Sequence, residues 1–427
     1  MPSRSKRPRR IAASVVWGLA CVPALLGAGG TSGDGSVDGW NARSTAVADS
    51  TWIVLWKKPP NAIYPLMRNT DEPTMSRHGD GFDVVWSLDD TPATRTYERA
   101  SVDADGRVRA TAHPIVQGWS DLSPTPRLMP TESGQLLAFV GTPTAPHDTP
   151  SERPSLQVAT SSDGRTWSVE AEGSVLDTAM ERPVGFDAVR SGDALVWVSS
   201  ERDAASLEWE RLPASSPPDS TSIHGGLSLL GCCVRWASVL RDADGVVYTA
   251  YFSSSADDDE HGFHAARIEP SGDAPARAPL PGWAYPIGFA AHVSPDQRVA
   301  MAVRPGGGVF VAYPVGYSQS LAVEVWHVGS ATAIVVPGSR GAHRVAATTG
   351  PDGTVWLAWT TASKVRIARV RDDAVVPGSV LSIPAPPGAS DLFTVAVSSG
   401  APGVLDLVLT ATDADRTVTL FTRQVRV

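Results

Sequence analysis

The chain has 427 residues, 42% of them hydrophobic and 19% charged, with a formal net charge of −9. That acidic balance argues against a nucleic-acid binder, which neutralises phosphates with clustered Lys and Arg. The 35 prolines and 38 glycines argue against a helical protein.

The N-terminus, "MPSRSKRPRRIAASVVWGLACVPALLGAGG", places five basic residues in its first ten and follows them with an apolar run and then small residues. That order reads as a secretory signal peptide over residues 1–30. The run is short and broken by Pro23, a poor match to a membrane anchor. Cys21, after "GLA", is a lipidation candidate, the weaker reading. Cleavage removes only positive charge and leaves a still more acidic, exported chain. Residues 31–49 read as a disordered leader and residues 50–427 as one domain, expected to be a monomer, with no later segment of membrane-spanning length.

Beyond the leader, one pattern recurs. A turn precedes a short strand rich in Val, Leu, Trp and Ala in "GDGFDVVWSL", "ESGQLLAFVG", "SGDALVWVSS", "DADGVVYTAYF", "SPDQRVAMAV", "GPDGTVWLAW" and "GAPGVLDLVLTA". Recurrence at roughly fifty residues in all-strand units is the signature of propeller blades. In the clearest unit "HRVAATTG", "TVWLAWTT", "KVRIARVRD" and "GSVLSIPA" are four successive strands. The period-2 alternation of "KVRIARV" fits a half-buried strand, and the denser "TVWLAW" one covered on both faces. The fold expected is therefore all-β, a β-propeller of seven four-stranded blades, with six as the alternative if the first marker is a cap. The last unit stops after "RTVTLFTRQVRV", and "TWIVLW" at residues 51–56 is free to supply its fourth strand and close the ring.

"TSSDGRTWS" at residues 160–168 resembles the Asp box, the bacterial neuraminidase repeat of sialidase-like propellers. The resemblance implies a structural turn between the third and fourth strands of a blade, built from Ser162, Asp163, Gly164, Thr166 and Trp167, with Trp167 packed into the blade. The spacing from Asp163 to Trp167 is one residue tighter than the fullest form of the motif. The segment from Cys232 and Cys233 through Arg235, Asp244, Gly245, Tyr248 and Tyr251 is similar to one that secreted proteins of this group carry.

In an oxidising compartment those two cysteines are the pair available for bridging. Adjacent Cα atoms lie ~3.8 Å apart, below the ~4.4 Å usual for a disulfide, so a bridge closes a small strained ring that stiffens one corner. It closes no long loop and constrains the unfolded chain little. Cys232 and Cys233 read as a vicinal disulfide, with two buried thiols as the alternative.

The resemblance implies sialidase chemistry: three arginines on a substrate carboxylate, a Tyr nucleophile activated by Glu, and an Asp acid/base. Arg182, Arg235 and Arg344 precede turn glycines by nine or ten residues and are the candidate anion-binding set. Arg344 is one residue out of step with the other two, which in a regular strand turns it to the opposite face. Tyr285, in "GWAYPIGF", is the candidate nucleophile, with no carboxylate tied to it by sequence. The Arg-Ile-Pro signature of sialidases is absent; "ERPVGF" at residues 181–186 is the nearest string. Asp257, Asp258 and Asp259 in "SADDDEHGFH" are candidate calcium ligands, although their spacing matches no established loop and a solvated loop is the blander reading. The function expected is non-catalytic recognition of an extracellular glycan or other anionic ligand at the channel mouth. The alternatives are an exo-sialidase-type glycoside hydrolase and a ligand-free scaffold.

Overall fold

The computed structural model describes residues 51–427 apart from 69–70, 121, 124, 143–154, 171–182, 202–205, 214–222, 229–233, 254–260, 270–274, 280–297 and 317–321. The described residues contain no helix, and their strands form seven antiparallel sheets. Five sheets are four-stranded meanders in chain order, the seventh blade takes its fourth strand from the N-terminus, and the sixth blade adds a two-residue strand, Ala374–Val375, that pairs with its third strand, Lys364–Arg371. The seven inner strands are Thr74–His78, Arg127–Thr131, Pro183–Ser191, Val234–Arg241, Ala300–Val303, Arg344–Thr349 and Asp391–Ala401. Each contacts the inner strands of the blades before and after it, and the seventh contacts the first. The array is a closed seven-bladed propeller, with the starts of the inner strands gathered at one face.

Closure follows the route expected from "TWIVLW". Ile53–Lys57 pairs antiparallel with Val418–Arg426, so the N-terminal strand completes the seventh blade and covers the edge of its third strand. Trp52 reinforces the join: its Nε1–H donates to the Pro384 carbonyl of the sixth blade at 2.8 Å, and its ring meets Phe421 edge-on at 6.4 Å.

Burial explains the two strand patterns. The second strands Gly81–Asp89, Val309–Val315 and Val355–Thr360 are buried along their whole length because each is covered by both neighbouring blades. Third strands alternate, as Lys364–Arg371 does, with Val365 and Ile367 packed toward the seventh blade and Ala368 and Val370 toward the fifth. The hydrophobic core is thus a set of seven inter-blade layers, each mixing residues of adjacent sheets.

Turn chemistry sets the register. In Asp242-Ala-Asp-Gly245 the Asp242 Oδ1 accepts the N–H groups of Asp244 at 2.9 Å and Val246 at 2.8 Å, and Gly245 takes φ +86°. The same Asp242 reaches the fifth blade through Gly308 N–H at 2.9 Å. One turn lies elsewhere than the sequence pattern suggests. "SPDQRVAMAV" does not place its turn before a second strand: Ala300–Val303 is the inner strand of the fifth blade, and its hairpin is Arg304–Gly308. Three consecutive glycines at positive φ, Gly306, Gly307 and Gly308, do there what Asp-Gly does elsewhere.

The segment Ser161–Trp167 turns between the third strand Ser155–Ser161 and the fourth strand Ser168–Glu170 of the second blade. Asp163 Oδ1 accepts the N–H groups of Arg165 at 2.7 Å and Thr166 at 2.8 Å, and the Ser161 hydroxyl at 3.1 Å. Those donors favour the ionised carboxylate and hold its pKa down at about 2. Trp167 packs beside the layer between the first and second blades. Residues 1–49, Cys232, Cys233 and Asp257 to Asp259 lie outside the described residues.

Candidate functional site

The centre of the ring is built around Arg298, two residues ahead of the inner strand of the fifth blade. Its Nε lies 3.0 Å from Asp187 Oδ1 and donates to the Phe186 carbonyl at 3.2 Å, both on the inner strand of the third blade. Nη2 donates to the carbonyls of Pro126, at 2.9 Å, and Thr125, which lead into the second blade. Its backbone N–H donates to Glu72 Oε2 at 2.8 Å, just ahead of the first blade. The third and fifth blades are not neighbours, so this side chain reaches across the middle of the ring from one to the other.

Asp187 is fully buried, with hydrogen-bond donors on Oδ2 and two guanidiniums at ion-pair distance from Oδ1. Arg127, the first residue of the second inner strand, engages it bidentately, Nε to Oδ1 at 2.7 Å and Nη2 to Oδ2 at 2.9 Å. The Val239 N–H of the fourth blade adds 2.8 Å to Oδ2. Two guanidiniums and two carboxylates, Arg127, Arg298, Asp187 and Glu72, therefore tie five blades together with balanced charge. Burial raises the pKa of Glu72, opposed by the charges of Arg298 and Arg127. Burial also lowers that of Arg298, opposed by Asp187, though guanidinium stays protonated.

Beside this network lies a cavity of about 90 Å³ bordered by Glu72, Arg127, Ser238, Arg298, Ala346 and Ala396, among others. The Arg298 side chain is 6% exposed, while that of Arg127 retains 29%. Arg127 is thus the guanidinium of the pair that a ligand in the channel can reach. No tyrosine is among the described residues that border the cavity. Tyr97, fully buried near Arg298, spends its hydroxyl on the Ser123 carbonyl at 2.6 Å, and burial pushes its pKa up.

Of the residues expected from sequence, Arg344 opens the inner strand of the sixth blade, half-buried, with Nη1 donating to the His343 carbonyl at 3.2 Å. Arg235 is the second residue of the fourth inner strand, its backbone opposite Phe252. Arg182 and Tyr285 lie outside the described residues. Arg127 and Arg298 were not among the sequence candidates. Counting back from the turn glycine misses them because the inner strands differ in length, 5 residues in the second blade, 9 in the third and 4 in the fifth. Counting from strand starts aligns them: Arg127, Arg235, Arg298 and Arg344 all stand within two residues of one. Among the described residues no cluster of three His, Cys, Asp or Glu is arranged to hold a metal, and no helix is long and apolar enough to cross a membrane.

Fold and site together define a seven-bladed β-propeller with a salt-bridged arginine spanning its centre. No protein-family model matches the chain, and no curated protein matches it in sequence. Among solved structures it is similar to a protein of unknown function from Dyadobacter fermentans, at 12% identity and a TM-score of 0.52 over 88% of this chain and 98% of that one. It is also similar to a sialidase from Streptococcus pneumoniae, at 9% identity and a TM-score of 0.45 over 88% and 70% of the two chains. The Trypanosoma rangeli sialidase in complex with the inhibitor DANA matches at 10% identity and 0.43 over 88% and 60%. At such identities the likeness speaks for the fold alone.

Proposed function

We propose that the protein is an exported, non-catalytic propeller that recognises a carboxylate-bearing extracellular glycan at the mouth of its central channel. The observation that carries this reading is Arg127, a guanidinium that keeps 29% of its side chain accessible beside the channel cavity. Planar guanidinium donors suit a carboxylate, and Arg344 and Arg235 add positive charge at the strand starts, with Arg182 as a further candidate from the sequence. Arg298 acts as the floor, because its side chain is buried and its Nε and Nη2 donors are engaged by Asp187 and three carbonyls. Export rests on the basic-then-apolar N-terminus. The hydrogen bonds of Asp163 support reading its turn as an Asp box with a structural role. The Cys232–Cys233 disulfide remains part of the proposal, and mass mapping of the unreduced protein tests it; complete alkylation without reductant removes it.

The decisive experiment pairs a glycan array with a fluorogenic sialoside. Binding of acidic glycans without turnover is the expected result. Hydrolysis abolished by Arg235→Ala replaces the reading with a glycoside hydrolase, for which Tyr285 is the candidate nucleophile, and silence in both assays leaves a scaffold.

A further inference from the structure

The chain uses one turn three times. Asp103-Ala-Asp-Gly106, Asp242-Ala-Asp-Gly245 and Asp413-Ala-Asp-Arg416 all have the first Asp accepting the N–H groups two and four residues on. The fourth position takes a left-handed backbone in each, φ +79° at Gly106, +86° at Gly245 and +60° at Arg416. Glycine occupies that conformation without penalty, whereas a side chain there is disfavoured. The third copy therefore holds an arginine where the turn itself asks for glycine.

Position supplies the reason. The Asp413–Thr417 turn joins the second and third strands of the seventh blade, on the face where inner strands begin. Arg416 lines a cavity of about 460 Å³ there, shared with Arg68, Met67, Phe393 and Thr412. Among the described residues no carboxylate or other acceptor engages the Arg416 guanidinium, in contrast to Arg68, whose Nε is held by Asp89 at 2.9 Å. Met67 is buried and Phe393 half-buried, so one wall is apolar and aromatic, while two arginines and one carboxylate, the exposed Asp391, make up its charged lining and leave it a net positive charge. The size falls in the range of small-molecule sites, apolar with a few placed polar groups.

We propose that this cavity between the seventh and first blades binds a small organic anion, its charged head on Arg416 and its flat apolar body against Phe393 and Met67. The site is separate from the channel, and the proposal does not depend on what the channel binds. Conformational strain retained at an exposed turn is the mark of a residue kept for its side chain.

Saturation-transfer NMR and titration calorimetry with benzoate, acetate and benzyl alcohol test it. Benzoate should bind at least tenfold tighter than acetate, which lacks the body, and than benzyl alcohol, which lacks the charge. Arg416→Gly should lose benzoate binding at least tenfold and at the same time raise the melting temperature, since it restores the turn's preferred residue; Arg416→Lys should keep part of the affinity. Equal affinity for benzyl alcohol, unchanged benzoate affinity in Arg416→Gly, or loss of benzoate binding in Arg127→Ala instead would each overturn the assignment.

Discussion

The Arg298 Nε meets the Asp187 carboxylate at 3.0 Å across the centre of the ring. Each inner strand packs against the inner strands of the blades before and after it, so the ring's stability would otherwise rest on seven successive layers. This pair joins the third and fifth blades directly, and Arg127, Glu72 and Val239 extend the join to the second, first and fourth.

Removing one partner of a buried pair strands the other, at a cost of about 3–5 kcal/mol. Arg298→Ala leaves Asp187 held by Arg127 alone and should lower unfolding free energy in urea by about 3 kcal/mol, the low end of that range. Asp187→Ala should do the same, because it removes the carboxylate that both arginines share and leaves Glu72 as their one buried counter-charge among the described residues. The double variant should cost less than the sum, with a coupling energy on the order of 1–3 kcal/mol. Additive losses would mean the two side chains act separately.

Ring closure gives a second prediction. Trp52 links the closing strand to the sixth blade through the Pro384 carbonyl, and Arg423 lies over its ring at 5.8 Å. Trp52→Ala should cost about 1–2 kcal/mol. Deleting residues up to Lys57 bares the edge of Val418–Arg426, and size-exclusion chromatography should then show concentration-dependent association.

Glu324 predicts a pH dependence. It faces Tyr313 across two strands of the fifth blade, with the Tyr313 hydroxyl 3.4 Å from Oε2, and burial raises its pKa from 4.5 to about 7. The folded state holds a proton between those values that the unfolded state has lost, so stability falls as pH rises through that window and stays low above it. Glu98, raised to about 6, acts in the same direction. Chemical denaturation from pH 4.5 to 8 should show a loss on the order of 2–3 kcal/mol from Glu324, absent in Glu324→Gln. An equal slope in that variant would assign the effect elsewhere.

The repeat, the strand types and the closing strand were legible because they rest on local chemistry: alternation, dense apolar runs and Asp-Gly turns. The Gly306–Gly308 hairpin was missed because a run of glycines carries no Asp to mark it. The central network was missed for a different reason. Arg127, Asp187 and Arg298 are brought together only by ring closure, and inner strands of unequal length hide their common level. Glu72 stands before a strand, where sequence gives it no partner at all. Arg416 was not singled out from sequence, because its departure from a repeated turn gains meaning only with the cavity beside it.

The most direct test of the channel reading is titration calorimetry of free N-acetylneuraminic acid into the wild-type protein and Arg127→Ala, with folding checked by circular dichroism. Saturable binding to the wild type, weakened at least tenfold in the variant while the β-sheet signal persists, is the predicted result. No binding by the wild type, or equal affinity in a folded Arg127→Ala, would contradict it.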